Sequence, residues 1–182
     1  MSGYFTRLHW CKQQHCLTTK LNTQLKSWLF DPGSLTARII RQCSGRFSVV
    51  VLSVKRASPT PDEKAILGLN SRNHAIIREV LLCCNDQPVV YARTIIPVSS
   101  LRGALRGLAL LGNRPLGSIL FSDKLMKRKT MEITSLKAGH KCYAWTQHPG
   151  AETIYGRRSV FILKQQEVLV SEFFLPDLFS IR

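Results

Sequence analysis

Two apolar runs of strand length, separated by a short polar turn, dominate the middle of the chain from Arg78 to Pro97 (REVLLCCNDQPVVYARTIIP). That pattern predicts a β-hairpin. Asn85, Asp86, Gln87 and Pro88 supply the turn chemistry. Ile76, Ile77, Val80, Val89, Val90, Ile95 and Ile96 are branched side chains that pack well on a pleated surface. With Asp86 and Gln87 as the central turn residues, Leu82 faces Tyr91, Val80 faces Arg93 and Arg78 faces Ile95. Successive side chains alternate faces, so this register sets Arg78 and Arg93 on one face, as diagonal neighbours within reach of a common ligand. Two guanidinium groups among Ile76, Val80, Leu82, Tyr91 and Ile95 are costly to bury without an anionic partner. A bound carboxylate is one such partner. A solvated face, or an internal carboxylate for each arginine, is the alternative.

At 182 residues and 45% hydrophobic, without repeats or low-complexity segments, the chain suits a single domain over 1–182. It has no run of eighteen apolar residues, and MSGYFTRLHWCK lacks the apolar centre of a signal peptide, so a soluble, cytoplasmic protein with no membrane span is expected. Cys11, Cys16, Cys43, Cys83, Cys84 and Cys142 lie mostly in apolar segments without the regular framework of a small secreted domain, and read as reduced thiols. His9, Cys11, His15 and Cys16 match no standard zinc spacing, and no metal is expected. The formal charge of +15 raises nucleic acid as a partner. Yet Arg38, Arg41, Arg46, Lys55, Arg56, Arg102, Arg106, Lys124, Lys127, Arg128 and Lys129 are dispersed rather than interleaved with aromatics. Such a field attracts any small anion, so charge alone does not separate an anion-processing enzyme from a nucleic-acid binder.

Residues 1–18 show no clear period and read as an irregular arm. Thr19 to Phe30 is an amphipathic helix with Leu21, Leu25, Trp28 and Leu29 on one face, ended by Pro32 and Gly33. Ser34 reads as the N-cap of a second helix through about Gln42. That places Leu35 at the first helical position, where backbone N–H groups lack intrahelical partners and the helix dipole favours anions; a plain capped surface helix is the other reading. Phe47 to Val54 is a valine-rich strand, and Ala57 to Asn70 a long connection with one short helical turn. Ser99 or Ser100 caps a helix carrying Leu101, Leu105 and Leu108, stopped at Gly112. Pro115 suits the first turn of another short helix, exposing the amides of Leu116 and Gly117. Lys129 to Thr134 is a short strand, followed by a polar connection from Ser135 to Thr153. A second hairpin closes the chain, from Ile154 to Leu163 and Val168 to Leu175 with its turn at Gln165 and Gln166. In that register Ser159 opposes Glu172 and Phe161 opposes Val170, so Glu172 shares a face with Val168, Val170 and Phe174. A carboxylate on an apolar face needs a partner. Arg157, diagonal to it, and a ligand are the two candidates.

The set REVLLC with ARTIIPVS, then RPLGSILF, then GRRS followed by SEFFLP, resembles the chorismate lyase (chorismate–pyruvate lyase) family from about Trp28 to Pro176. The resemblance implies an α+β single domain in which one curved antiparallel β-sheet carries helices, with helical flaps over a buried ligand site. It implies removal of pyruvate from chorismate to leave 4-hydroxybenzoate, the first committed step towards ubiquinone, with no cofactor. Carried over by position, it assigns catalysis and substrate binding to Arg78 and Glu172, with Arg78 on the ring carboxylate and Glu172 on the ring hydroxyl. Backbone contacts fall to Leu35 and Leu116; Leu35 replaces a methionine, which a contact through the amide tolerates. Arg93 joins the candidate site only through the hairpin register. The expected partners are chorismate and 4-hydroxybenzoate, with no nucleic acid, on a monomer. The alternative is a ligand-sensing domain of the transcription-regulator type that shares this fold without catalysis. The connection from Ser135 to Thr153, with His140, Cys142, Trp145 and His148, looks longer than in familiar members and has no assigned role.

Overall fold

Asn85 and Asp86 both adopt positive φ (51° and 63°), and so do Lys164 and Gln165 (49° and 65°). Two consecutive left-handed residues form the turn whose twist suits a two-residue hairpin. The computed structural model describes residues 8–12, 21–101, 107, 111–121, 123, 125–146, 148 and 151–181. Its strands are β1 (Cys11–Lys12), β2 (Phe47–Ala57), β3 (Ala75–Cys84), β4 (Gln87–Pro97), β5 (Lys127–Lys137), β6 (Thr153–Leu163) and β7 (Gln166–Phe174). They form one antiparallel sheet in the order β1-β5-β6-β7-β4-β3-β2, the curved open sheet of an α+β fold. The only described part of the N-terminal arm, residues 8–12, contributes β1 to the sheet edge; the rest of residues 1–18 lies outside the described residues.

Both turns fall one residue earlier than the sequence suggests. In the second hairpin this moves Arg157, rather than Ser159, directly opposite Glu172, and keeps Glu172 on the face of Val168 and Val170. In the first hairpin a bulge intervenes, because Leu82 pairs with Val90 but Cys83 with Pro88, leaving Val89 as the extra residue. A one-residue slip exchanges faces. Arg78 therefore pairs with Thr94, and Arg93 pairs with Glu79 on the opposite face. A second bulge, between Arg128 and Thr130, turns Arg128 onto the face of Phe161 and Glu172.

Helices α1 (Thr23–Leu29), α2 (Leu35–Gln42) and α4 (Leu116–Leu120) cover that face. Leu25, Trp28, Leu29, Leu35 and Ile39 pack with Val80, Leu82, Val90 and Phe174, while Leu116 and Leu120 pack with Phe161, Val168 and Val170. Burial of this apolar surface, at about 25 cal/mol per Å² removed from water, drives docking of helices too short to stand alone. The other face is covered by α3 (Pro61–Ile66), the 3-10 segment Lys141–Thr146 and Leu8 and Trp10 of the arm. Leu81, Tyr91 and Phe173 meet Trp10 and Trp145 there. The helix expected after Ser99 or Ser100 falls largely outside the described residues, and Val98–Ser100 form a 3-10 turn.

One expectation is overturned in the cysteines. Cys43, at the end of α2, is disulfide-bonded to Cys84 at the end of β3, with Cα atoms 5.8 Å apart. Both belong to apolar segments, and the turn at Asn85 and Asp86 brings the second beneath the first. Cys11, Cys83 and Cys142 are free thiols.

Candidate active site

A cavity lies between the sheet and the starts of α2 and α4. Arg78, Glu172, Leu35 and Leu116 all line it, together with Thr36, Arg128 and Arg157. The polar residues that the sequence singles out are thus gathered in one place, with the exception of Arg93.

Arg78 is 3% exposed. Its Nη2 donates to the carbonyls of Gly112 (3.0 Å) and Arg114 (3.1 Å), fixing the segment that leads into α4. Its Nε is buried without a hydrogen-bond partner among the described residues, and burial pulls the guanidinium pKa below its ordinary value. The Ser34 hydroxyl caps α2 by accepting from Ala37 N at 3.3 Å. The first amides of α2 and α4 have no intrahelical partner, and these two helix starts meet closely. A Cβ on Gly117 would lie 3.1 Å from Thr36 Oγ1 and 3.2 Å from Ser34 Oγ. Glycine there permits the close approach, and a side chain would require Thr36 or Ser34 to shift by a few tenths of an ångström.

Arg157 Nε donates to Glu172 Oε2 at 2.6 Å. Arg157 is 1% exposed, and its Nη1 donates to the carbonyls of Trp28 (3.1 Å), Leu29 (3.5 Å) and Asp31 (2.8 Å). This arginine ties the end of α1 to the sheet and orients the Glu172 carboxylate. The internal partner and the cavity position are therefore both present at Glu172.

Arg128 was hidden in the sequence among Lys127, Lys129 and the other dispersed cations. Its Nη1 donates to the Asp31 carbonyl (3.2 Å) and its Nη2 to the Gly33 carbonyl (3.4 Å), the guanidinium lying 5.0 Å above the Phe161 ring. Its Nε too is buried without a partner among the described residues. Burial, followed by the nearby Arg157 charge, pulls its pKa down. The bulge at Lys129 that aims it into the cavity leaves no signature in residue types.

Arg93 is the correction. It lies on the opposite face, where Glu63 accepts from Nε (2.7 Å) and Nη2 (3.2 Å) and Glu79 accepts from Nη1 (2.9 Å). Beside it Arg158 pairs with Asp62 (2.9 Å) and Glu132 (2.7 Å). Trp145, from the connection without an assigned role, stacks on Arg93 at 5.0 Å. His148 of that connection meets Asp177 at 3.2 Å. Among the described residues, internal carboxylates, the alternative open in the sequence, thus satisfy Arg93 but not Arg78.

Residues 5–182 match the family described as chorismate lyase. The chain belongs to the chorismate lyase family. It is 42% identical over 167 residues to the "Probable chorismate pyruvate-lyase" of Aromatoleum aromaticum, covering 89% of this chain and 90% of that one. To the protein of the same description from Methylococcus capsulatus it is 40% identical over 158 residues, covering 86% and 98%. Among solved structures, this chorismate lyase family chain resembles the effector domain of PhnF from Mycobacterium smegmatis, with a TM-score of 0.57 at 13% identity over 80% of this chain and 90% of that one. It also resembles the C-terminal domain of the histidine utilization repressor from Pseudomonas syringae, with a TM-score of 0.54 at 13% identity over 75% and 94%. At such identities the likeness establishes the fold alone.

Proposed function

We propose that this protein is a lyase that eliminates pyruvate from chorismate and leaves 4-hydroxybenzoate, the first committed step towards ubiquinone. The observation that carries the reading, beside family membership, is the pairing in one cavity of a buried arginine with an unpartnered nitrogen, Arg78, and an oriented carboxylate, Glu172. Arg78 would bind the ring carboxylate and Glu172 the C4 hydroxyl, with the α2 and α4 amides of Leu35 and Leu116 completing the polar shell.

Chorismate needs little from the protein in the way of a nucleophile. The C3–O bond breaks, the proton leaves C4, and the ring becomes aromatic; the enolpyruvate released gains a proton at its methylene carbon to become pyruvate. The work left to the site is to hold a flexible dianion in its reactive conformer and to exclude water, and orientation of this kind contributes up to roughly 7–11 kcal/mol. The reaction as proposed uses no metal or organic cofactor and takes place on a cytoplasmic monomer.

The test is to mix purified protein with chorismate and follow pyruvate and 4-hydroxybenzoate, with and without chelator. Stoichiometric formation of both, insensitive to chelator, is the expected result. Binding of aromatic carboxylates without turnover would instead favour a ligand-sensing domain, the reading that the fold likeness to regulator domains suggests.

A further inference from the structure

Charge in the cavity is unbalanced in a way that Arg78 and Glu172 do not explain. The charged residues that line it are three arginines, Arg78, Arg128 and Arg157, and one carboxylate, Glu172. They leave two positive charges in a space otherwise walled by groups such as Val80, Leu82, Phe161 and Val170. Arg157 is paired with Glu172 and held by three carbonyls. Asp31, near the rim, is paired with Arg38 at 3.0 Å. Among the described residues, the buried guanidinium nitrogens without a partner are Arg78 Nε and Arg128 Nε, one on each of the two uncompensated arginines. Carbonyl oxygens hold both side chains in place without neutralising them. A buried cation kept unpaired at this cost calls for an anionic partner.

We infer that Arg128 is a second substrate-binding arginine, one that binds the carboxylate of the substrate's enolpyruvyl arm while Arg78 binds the ring carboxylate. The inference rests on the reaction proposed above and specifies which part of the substrate meets which part of the wall. A dianion neutralises the two excess charges; an aromatic monoanion leaves one uncompensated. Two carboxylates on two separate guanidinium groups also fix the arm relative to the ring, which is the orientation the elimination needs. The cavity consequently selects the dicarboxylate over its own monocarboxylate product at Arg128, and discharges the arm's contact once the C3–O bond is broken.

The experiment compares wild type, Arg128→Gln and Arg128→Lys in three measurements: KM and kcat for chorismate, the Kd of 4-hydroxybenzoate by calorimetry, and the relative Kd of 3-(carboxymethoxy)benzoate and 3-methoxybenzoate. Arg128→Gln is expected to raise KM for chorismate at least tenfold, to change the Kd of 4-hydroxybenzoate less than threefold, and to abolish the wild-type preference for the dicarboxylate probe. Arg128→Lys restores part of that preference. An unchanged chorismate KM, or equal weakening of mono- and dicarboxylates, overturns the assignment. If Arg128→Gln fails to fold, having lost its bonds to Asp31 and Gly33, the lysine variant decides on the same criteria. Failure of wild type to turn over chorismate would sink the reaction instead, and the two probe ligands would still report on Arg128.

Discussion

Arg157 and Glu172 stand directly opposite each other on β6 and β7, joined at 2.6 Å, and the arginine's other end is held by carbonyls from the end of α1. Glu172→Gln keeps the shape and removes the charge. Arg157 retains its carbonyl acceptors, so the stability loss is limited to about 1–3 kcal/mol. Charge-assisted hydrogen bonds are roughly twice as strong as neutral ones, so affinity for 4-hydroxybenzoate and turnover should each fall by more than tenfold. Thermal unfolding and calorimetry on this variant check both; a large stability loss with intact binding would remove Glu172 from the site.

For Arg78→Ala the expectation is the reverse in emphasis. No carboxylate among the described residues pairs with Arg78, so its removal relieves a desolvated charge while loosening the segment at Gly112 and Arg114. Hydrogen bonds to charged groups are each worth about 1.5–3 kcal/mol, which corresponds to a loss of roughly ten- to a hundredfold in 4-hydroxybenzoate affinity. Unchanged affinity in calorimetry would show that the ring carboxylate binds elsewhere.

Arg93→Ala should do the opposite. It strands Glu63 and Glu79, both drawn into the sheet's other face, and breaking a buried pair on one side costs about 3–5 kcal/mol. Ligand affinity per folded molecule stays as in wild type. A denaturant titration together with calorimetry separates the two quantities, and a selective loss of binding would return Arg93 to the site.

The contrast between Arg78 and Arg93 shows where the sequence stops being informative. The apolar runs and turn formers around each hairpin specify the strands, and Ser34 and Pro115 mark the starts of α2 and α4, because these signals are local. Facing, however, depends on the parity of the register, and one extra residue at Val89 reverses it for Arg93 without any distinctive residue type. The second hairpin slips by two positions instead, which preserves parity, so Glu172 keeps its expected face. Arg128 depends on a bulge as well, and the Cys43–Cys84 pairing on a turn position; neither is written in composition or period.

Gly156→Ala tests the packing behind the site. A methyl group there would lie 2.7 Å from Phe173 Cδ1 and 3.0 Å from the Glu172 carbonyl, in the ladder that positions Glu172. Overpacking of this kind costs about 1–3 kcal/mol. The expected result is a lower Tm with 4-hydroxybenzoate affinity reduced as well, since the backbone of Glu172 must shift; a Tm equal to wild type would show that the strand pair yields freely.

Acid should destabilise the fold through Glu79 and Asp31. Burial raises the Glu79 pKa, but the Tyr91 hydroxyl, Arg93 and Ser53 outweigh it and hold the group below its ordinary value. At Asp31 burial is likewise outweighed, by the Gly33 amide, Arg38 and Arg157. A carboxylate depressed in the folded state contributes its full stability above its unfolded pKa and loses it as pH falls through the folded one. Stability should therefore be flat at neutral pH and decline below about pH 4, the ordinary carboxylate range. Denaturant midpoints from pH 7 to pH 3 check this; Arg93→Ala should flatten the Glu79 share of the decline.

The bond between Cys43 and Cys84 sits at the far end of α2 from the cavity, so the helix is riveted covalently to the sheet at one end, while its start at Ser34 and Leu35 meets the cavity through noncovalent contacts. Any tilt about that pivot would work as a lever. With about 1.5 Å of rise per residue, eight residues place Leu35 roughly 12 Å from the pivot, and a tilt of roughly 15° swings it by about 3 Å. That swing parts Ser34 from Gly117 by about the thickness of an aromatic ring. A gap of that width would admit a flat ring edge-on while α2 keeps its place over Val80 and Leu82, and reducing the disulfide would remove the pivot.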